Sequence, residues 1–270
     1  MEAIAALVDR AVGGRRRACE HDRVVRVVLG PNDSDPAVQL ATSMALLRQV
    51  SRGDIDDTIR VYHPSRPVVA FGRRDTVLPG FTQAVRHAKD AGFLPLVRSV
   101  GGRAVAYTGT ALVLDAIGGT GEPSAGMDAR FNDFGARYAH ALRGLGMDAR
   151  VGAVPGEYCP GAQSVNARGS TKLVGTAQRV VRKAWLFSAL VIIDDHLPLR
   201  PILRNVYRCL DQPFDENSVG SVLSEVPNIT ADRVTEALIT AHLRGQKVEH
   251  VALDRATLEL ARELAVDHRA

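Results

Sequence analysis

The longest apolar run in this chain is ten residues, Ala184 to Ile193, and Ser188 interrupts even that. A membrane-spanning helix needs about 20 apolar residues, so no membrane partner is expected. The run instead reads as a strand, and Ala177 to Val181 just before it reads as another. A chain that carries its apolar residues in such short pieces must bury them against one another. At 270 residues, 46% apolar and 24% charged, it has enough material for a full core and falls in the globular range. No secretory leader is expected, because Met1-Glu2-Ala3 opens acidic and the apolar stretch Ile4 to Val8 is short.

The balance of 34 basic and 30 acidic residues gives a net charge of +4. This mild excess suits an acidic protein partner and does not mark a nucleic-acid binder. The basic run Arg15-Arg16-Arg17, flanked by Arg10 and Arg23, lacks interleaved aromatics and reads as a solvated segment. Three cysteines, Cys19, Cys159 and Cys209, form no C-x-x-C. They give neither a disulfide framework nor a zinc site, and a reducing cytoplasm is the expected location. The eight histidines include no H-x-x-x-H pair and avoid the glycine-rich segments, so no metal site is expected.

Helix signals punctuate the chain. Asp35 can cap a helix whose first residue is Pro36, with Val38, Ala41, Met44, Leu47 and Val50 on one face. Val68 to Phe71 reads as a strand buried on both faces. Pro79-Gly80 opens a helix that Gly92 stops, and Leu94 to Arg98 is a strand. Past Gly101-Gly102, Arg103 to Tyr107 continues as strand. Ala111 to Ile117 sets Leu112, Leu114 and Ala116 against Val113, Asp115 and Ile117, and reads as its partner across the Tyr107–Thr110 turn. A long helix fits Met127 to Leu145, with its phenylalanines in the core. Further helices fit near Leu199–Leu210, Ala231–Leu243 and Arg255–Val266, the last capped by Asp254. Paired strands among helices, without a βαβ repeat, make an α+β fold. The domain expectation is a catalytic domain over 1–223, with a short helical extension over 224–270 packed on it.

Two segments carry chemistry. In Gly156-Glu157-Tyr158-Cys159-Pro160-Gly161 a cysteine lies in a polar, glycine-rich loop, whereas structural cysteines favour apolar element interiors, as Cys209 does. Residue type alone leaves Cys159 open between a nucleophile and a packed loop thiol. Lys172, thirteen residues on, meets it if the chain folds back as a hairpin; otherwise it is a solvated edge lysine. Gly175 allows close backbone approach beside it. In Arg98-Ser99-Val100-Gly101-Gly102-Arg103-Ala104-Val105, paired glycines either make a plain turn or let backbone N–H groups point at an anion, with Arg98 and Arg103 reinforcing them. It is not a phosphate loop, and no dinucleotide fingerprint occurs.

Taken in order, these segments resemble the superfamily of lipoate-protein ligase A, octanoyltransferases and biotin ligases, from Val24 to Leu223. Val68-Val69-Ala70-Phe71-Gly72-Arg73-Arg74 resembles the strand and loop opening its acyl site. Arg98 to Val105 resembles R-x-x-G-G-x-A-V, and Lys172 to Gln178 resembles K-[LVF]-x-G-x-[AS]-Q. The Tyr158-Cys159-Pro160-Gly161 element is similar to the branch of cysteine-dependent octanoyltransferases that draw octanoyl from the glycine cleavage H protein. The resemblance implies that Cys159 takes the acyl group as a thioester and that Lys172 activates the thiol or the incoming amine. Gly72, Arg98, Gly101, Gly102, Arg103 and Gly175 would bind substrate, with the Gly101-Gly102 backbone lining the acyl carbonyl or chain. The implied donor is an octanoyl or lipoyl carrier, either H protein or acyl carrier protein. The acceptor is a lysine on lipoyl domains of 2-oxoacid dehydrogenases. No cofactor is required on this reading.

Two departures weigh against an ATP-dependent ligase, the alternative that would need ATP and Mg. Such ligases often carry two arginines before the glycines and a histidine after A-V. Here Val97 precedes Arg98, and Ala106-Tyr107 follow Val105. Little chain follows Leu223 to form the accessory domain many ligases have. A non-catalytic acyl-binding protein of the same fold is the third reading.

Overall fold

The computed structural model describes residues 2–13, 24–122 and 124–270. Cys19 and the Arg15–Arg17 run lie outside the described residues, as does Arg23. Two sheets form the frame. The larger has eight strands in the spatial order Lys247–His250 (β11), Val24–Leu29 (β1), Thr58–Tyr62 (β2), Leu112–Gly119 (β6), Ala184–Val191 (β10), Thr171–Val181 (β9), Val165–Ala167 (β8) and Ala149–Val151 (β7). β1 runs parallel to β11 and β2, and the remaining pairs are antiparallel. The smaller sheet sets Val68–Phe71 (β3) between Leu94–Val97 (β4) and Val105–Tyr107 (β5).

Eight helices accompany the sheets among the described residues: Glu2–Gly13 (α1), Pro36–Arg52 (α2), Phe81–Asp90 (α3), Met127–Gly144 (α4), His196–Cys209 (α5), Val222–Glu225 (α6), Ala231–Leu243 (α7) and Arg255–Leu264 (α8). None is long and apolar enough to cross a membrane. The capping signals act where expected. Asp35 accepts from the Ala37 N–H at 2.9 Å with Pro36 as the first helical residue, and Asp254 accepts from Thr257 N–H at 2.6 Å. The fold is α+β, as the pattern of strands and helices requires.

Period-two alternation divides the large sheet's faces. On β6, Leu112, Leu114 and Ala116 enter a core shared with Phe134, Tyr138 and Leu238 from α4 and α7. Val113 and Asp115 face the other way, into a cavity beneath α2. β10 repeats the division, with Phe187, Ala189 and Val191 in the core and Leu186, Ser188 and Leu190 on the cavity side.

β5 and β6 do not pair, contrary to the expected hairpin. Among the described residues β5 pairs only with β3, and β6 lies between β2 and β10. The Thr108–Ala111 turn carries the chain from one sheet to the other, so each run finds its partner far away in sequence. β1, β2 and β11 were not foreseen. β11 lies in the 224–270 segment, which therefore holds a strand of the main sheet as well as its two helices. The His268 side chain, at the end of that segment, donates from Nδ1 to the Val97 carbonyl, 2.7 Å away, and lines the cavity. Cys209 is half-buried at the end of α5, where Gly80 packs so closely that a Cβ there would lie 1.7 Å from the Cys209 carbonyl oxygen.

Candidate active site

Two loops meet at the edge of the small sheet, and glycines decide how closely. A Cβ on Gly72, just after β3, would lie 1.9 Å from the Gly102 carbonyl oxygen. A Cβ on Gly102, which has φ of 100°, would lie 2.5 Å from both the Arg98 Nη2 and the Cys159 Sγ. No larger residue fits either place without moving the site. The paired glycines thus allow contact between the Arg98–Val105 loop and the thiol. Gly101 does not offer its N–H to a substrate, because it donates to the Gln178 carbonyl on β9 at 3.2 Å.

Cys159 occupies the left-handed region at φ 44°, a conformation that strains a residue with a side chain. Three contacts hold it there. Its N–H donates to the Tyr207 Oη at 2.5 Å, and that hydroxyl donates in turn to the Ala104 carbonyl at 2.9 Å. From below, the Lys172 ammonium donates to the Cys159 carbonyl at 2.7 Å and to the Tyr158 carbonyl at 3.0 Å. α5, β9 and the glycine loop therefore converge on one half-buried cysteine.

Its sulfur accepts from the Arg98 Nη2 at 3.1 Å and from the Arg103 backbone N–H at 3.3 Å. Burial pushes the thiol pKa up. The charges of Arg98 and Lys172, with the hydrogen bonds from Arg103 and Arg98, outweigh burial and hold it below the ordinary thiol value. This environment favours the nucleophilic thiolate.

Lys172 is only 1% exposed, so the solvated-edge reading fails. Its ammonium forms an ion pair with Glu157 at 3.1 Å. The other Glu157 oxygen accepts from the Gly161 N–H at 3.0 Å and from Ser164 Oγ at 3.1 Å. Gly175 leaves room for the lysine stem, since a Cβ there would touch Lys172 Cε at 3.4 Å. Burial lowers the Lys172 pKa, and Cys159 and Glu157 partly restore it. Such a lysine can exchange a proton closer to neutral pH than an exposed one.

The structure thus brings Cys159, Lys172, Arg98, Gly72, Gly102 and Gly175 together, and it changes two expected roles. The Arg103 guanidinium turns away to pair with the buried Asp75 at 3.2 Å, and only its backbone N–H serves the sulfur. The Gly101-Gly102 backbone does not line the cavity, which opens instead beside Arg98, Ser99 and Val100. Its walls include Leu40, Met44, Ala70, Val105 and Leu190. Arg98 belongs to both places: it touches the thiol and lines the cavity.

Three residues of the site went unrecognised in the sequence. Glu157 stood within the Cys159 loop, and a carboxylate two residues before a candidate thiol was the available signal. Asp75, which accepts from the Gly72 N–H at 2.8 Å, closes the loop after β3. Tyr207 has no local signal, because its link to Cys159 spans 48 residues.

The chain matches the lipoyl protein ligase A/B catalytic domain over residues 35–243, and it belongs to that family. It is similar to the octanoyl-[GcvH]:protein N-octanoyltransferase of Geobacillus kaustophilus, with 28% identity over 148 residues, 55% of this chain and 52% of that protein. It is also similar to the protein of that name from an Exiguobacterium species, with 30% identity over 114 residues, 42% of this chain and 40% of that protein. The chain spans about half the length of the curated relatives it matches. Among solved structures, a lipoate-protein ligase A bound with ATP superposes with a TM-score of 0.70 at 20% identity, covering 90% of this chain and 95% of that one. The bipartite lipoate-protein ligase of Thermoplasma acidophilum, solved in work on its E2 lipoyl domain, gives 0.68 at 19% identity, covering 91% and 93%. These structures share the fold.

Proposed function

We propose that this member of the lipoyl protein ligase A/B family is a cysteine-dependent acyltransferase that moves an octanoyl or lipoyl group onto a lysine of lipoyl domains. The observation that carries the reading is the Cys159 sulfur, which receives the Arg98 guanidinium and the Arg103 N–H above the buried Lys172. The names of the similar octanoyltransferases support the same reaction class.

In the first step the Cys159 thiolate attacks the acyl carbonyl of the donor. A thioester forms, and the donor's amine or thiol leaves with a proton from Lys172. In the second step an acceptor lysine amine attacks the thioester. An amide forms, the thiolate is released, and the surplus proton returns to Lys172. Arg98 is placed to steady the developing oxyanion as well as the thiolate. Both steps exchange acyl groups, so the reaction needs no ATP, metal or other cofactor. The donor is an octanoyl or lipoyl carrier, either glycine cleavage H protein or acyl carrier protein, and the acceptors are lipoyl domains of 2-oxoacid dehydrogenases. A reducing compartment such as the cytoplasm keeps the thiol free.

Intact-protein mass spectrometry tests this. Wild type and Cys159→Ala are each incubated with octanoylated H protein or octanoyl acyl carrier protein, without ATP. A hydroxylamine-labile octanoyl adduct is expected on wild type alone. The contrary result is no adduct from either donor, with lipoyl-domain acylation by both proteins once ATP and free acid are added. That would make the protein a ligase and Cys159 a loop residue.

A further inference from the structure

The loop after β3 carries two exposed arginines, Arg73 and Arg74, and then a carboxylate, Asp75, that is 0% exposed. A carboxylate withdrawn from water in this way needs donors. Its Oδ2 accepts from the Gly72 N–H at 2.8 Å, and its Oδ1 accepts from the Arg103 Nη1 at 3.2 Å. The first bond closes the loop on itself. The second reaches across to the glycine loop, 28 residues on. Among the described residues, Asp75 is the hydrogen-bond partner of the Arg103 guanidinium, which is 30% exposed and would otherwise extend into water.

Both donors to the Cys159 sulfur depend on where Arg103 sits. One is its own backbone N–H, at 3.3 Å from Sγ. The other is the Arg98 Nη2, which donates to the Arg103 carbonyl at 2.7 Å and to the sulfur at 3.1 Å. The backbone leading into Arg103 is Gly101-Gly102, with Gly102 at φ 100°, so no side chain there restricts it. The tether to Asp75 supplies that restriction from the other side, through the arginine's own side chain.

Resting on the acyltransfer reading, we infer that Asp75 is a positioning residue: acting through the Arg103 side chain, it holds the Arg103 N–H and the Arg98 guanidinium on the Cys159 sulfur. Its own hydrogen bonds go to Gly72 and Arg103 and not to the sulfur. Donors fixed in place before the acyl carrier arrives need no rearrangement at the moment of attack.

The test follows iodoacetamide alkylation of Cys159 against pH in the full chain, by peptide mapping. Asp75→Asn keeps the Gly72 bond through its amide oxygen and turns –NH₂ toward the guanidinium, which only donates, so the tether is lost. The alkylation midpoint should rise by about one pH unit, the worth of one hydrogen bond to a charged group. Charge alone gives the opposite sign, because removing a nearby carboxylate favours the thiolate and lowers the midpoint. Arg103→Met should raise the midpoint as well, and adding Asp75→Asn to it should give no further rise. An unmoved or lowered midpoint in a folded Asp75→Asn overturns the inference, as do additive rises in the double variant. If Asp75→Asn does not fold, Arg103→Met decides in about 1 M salt, which screens the lost charge. A rise that persists there supports the tether, and one that vanishes overturns it. Alkylation reads the sulfur without acyl chemistry. A thiol that never takes octanoyl from H protein or acyl carrier protein therefore sinks acyl transfer, whereas the midpoint alone sinks the role of Asp75.

Discussion

Two buried cations stand near buried carboxylates, Lys172 in an ion pair with Glu157 beneath the thiol loop and Arg60 linked to Asp115 through Ser43 beneath the cavity, and they are built differently. Around Lys172 the network is closed. The ammonium meets two carbonyls and Glu157, and the other Glu157 oxygen takes donors from Gly161 and Ser164. All of these partners belong to the 157–164 segment, so the pair fixes the segment carrying Cys159. Around Arg60 the network runs through Ser43 to Asp115, which also takes a hydrogen bond from Ser188 and lines the cavity. The first network holds the segment that carries the thiol, and the second holds the floor of the cavity. The cations differ as well. Burial can bring a lysine into a range where it moves a proton, whereas an arginine stays charged.

The largest effects should come from removing either cation. Lys172→Met and Arg60→Met each strand a carboxylate in the interior, and each should lose about 3–5 kcal/mol in denaturant titrations. Only Lys172→Met should also raise the Cys159 thiol pKa, because Lys172 is one of the two charges that lower it. An equal rise in Arg60→Met would mean that the two networks act as one, and the contrast would fail.

Arg98→Gln sharpens the thiol side alone. Losing the cation raises the Cys159 pKa, so the midpoint of iodoacetamide alkylation at Cys159, followed by peptide mapping, should move to higher pH. Each unit of rise lowers the thiolate fraction at neutral pH about tenfold once the midpoint lies above it. An unmoved midpoint would show that Arg98 does not control the nucleophile.

The smallest effect is expected from Tyr207→Phe, which removes the hydroxyl between the Cys159 N–H and the Ala104 carbonyl. Stability should fall by about 1–2 kcal/mol. If Tyr207 positions the thiol, kcat should drop about tenfold with KM unchanged, since a misplaced nucleophile slows the chemical step. A loss of stability with kcat intact would make the tyrosine a packing residue only.

The sequence carried whatever short-range chemistry decides. Asp35-Pro36 and Asp254 announced their helices because capping involves neighbours in the chain. The alternation on β6 announced two faces because strand side chains repeat every two residues, and it placed Asp115 opposite Leu114. The Tyr158-Cys159-Pro160-Gly161 loop, the double glycine and Lys172 were joined into one site only by the family resemblance. What remained hidden depended on contacts distant in sequence. The turn at Thr108–Ala111 looks local, yet the partners of β5 and β6 are chosen by where β3, β2 and β10 lie. Arg103 carries the same charge whether it faces a thiolate or Asp75, and only the folded loop assigns it to Asp75. Nothing near Tyr207 marks it as the anchor of Cys159. Sequence alone determined which groups could react and which segments could be helix or strand, because those follow from residue chemistry and backbone period. The tertiary structure decided which buried charges close on the thiol and which lie beneath the cavity, because burial and partnership arise only when distant segments exclude water together.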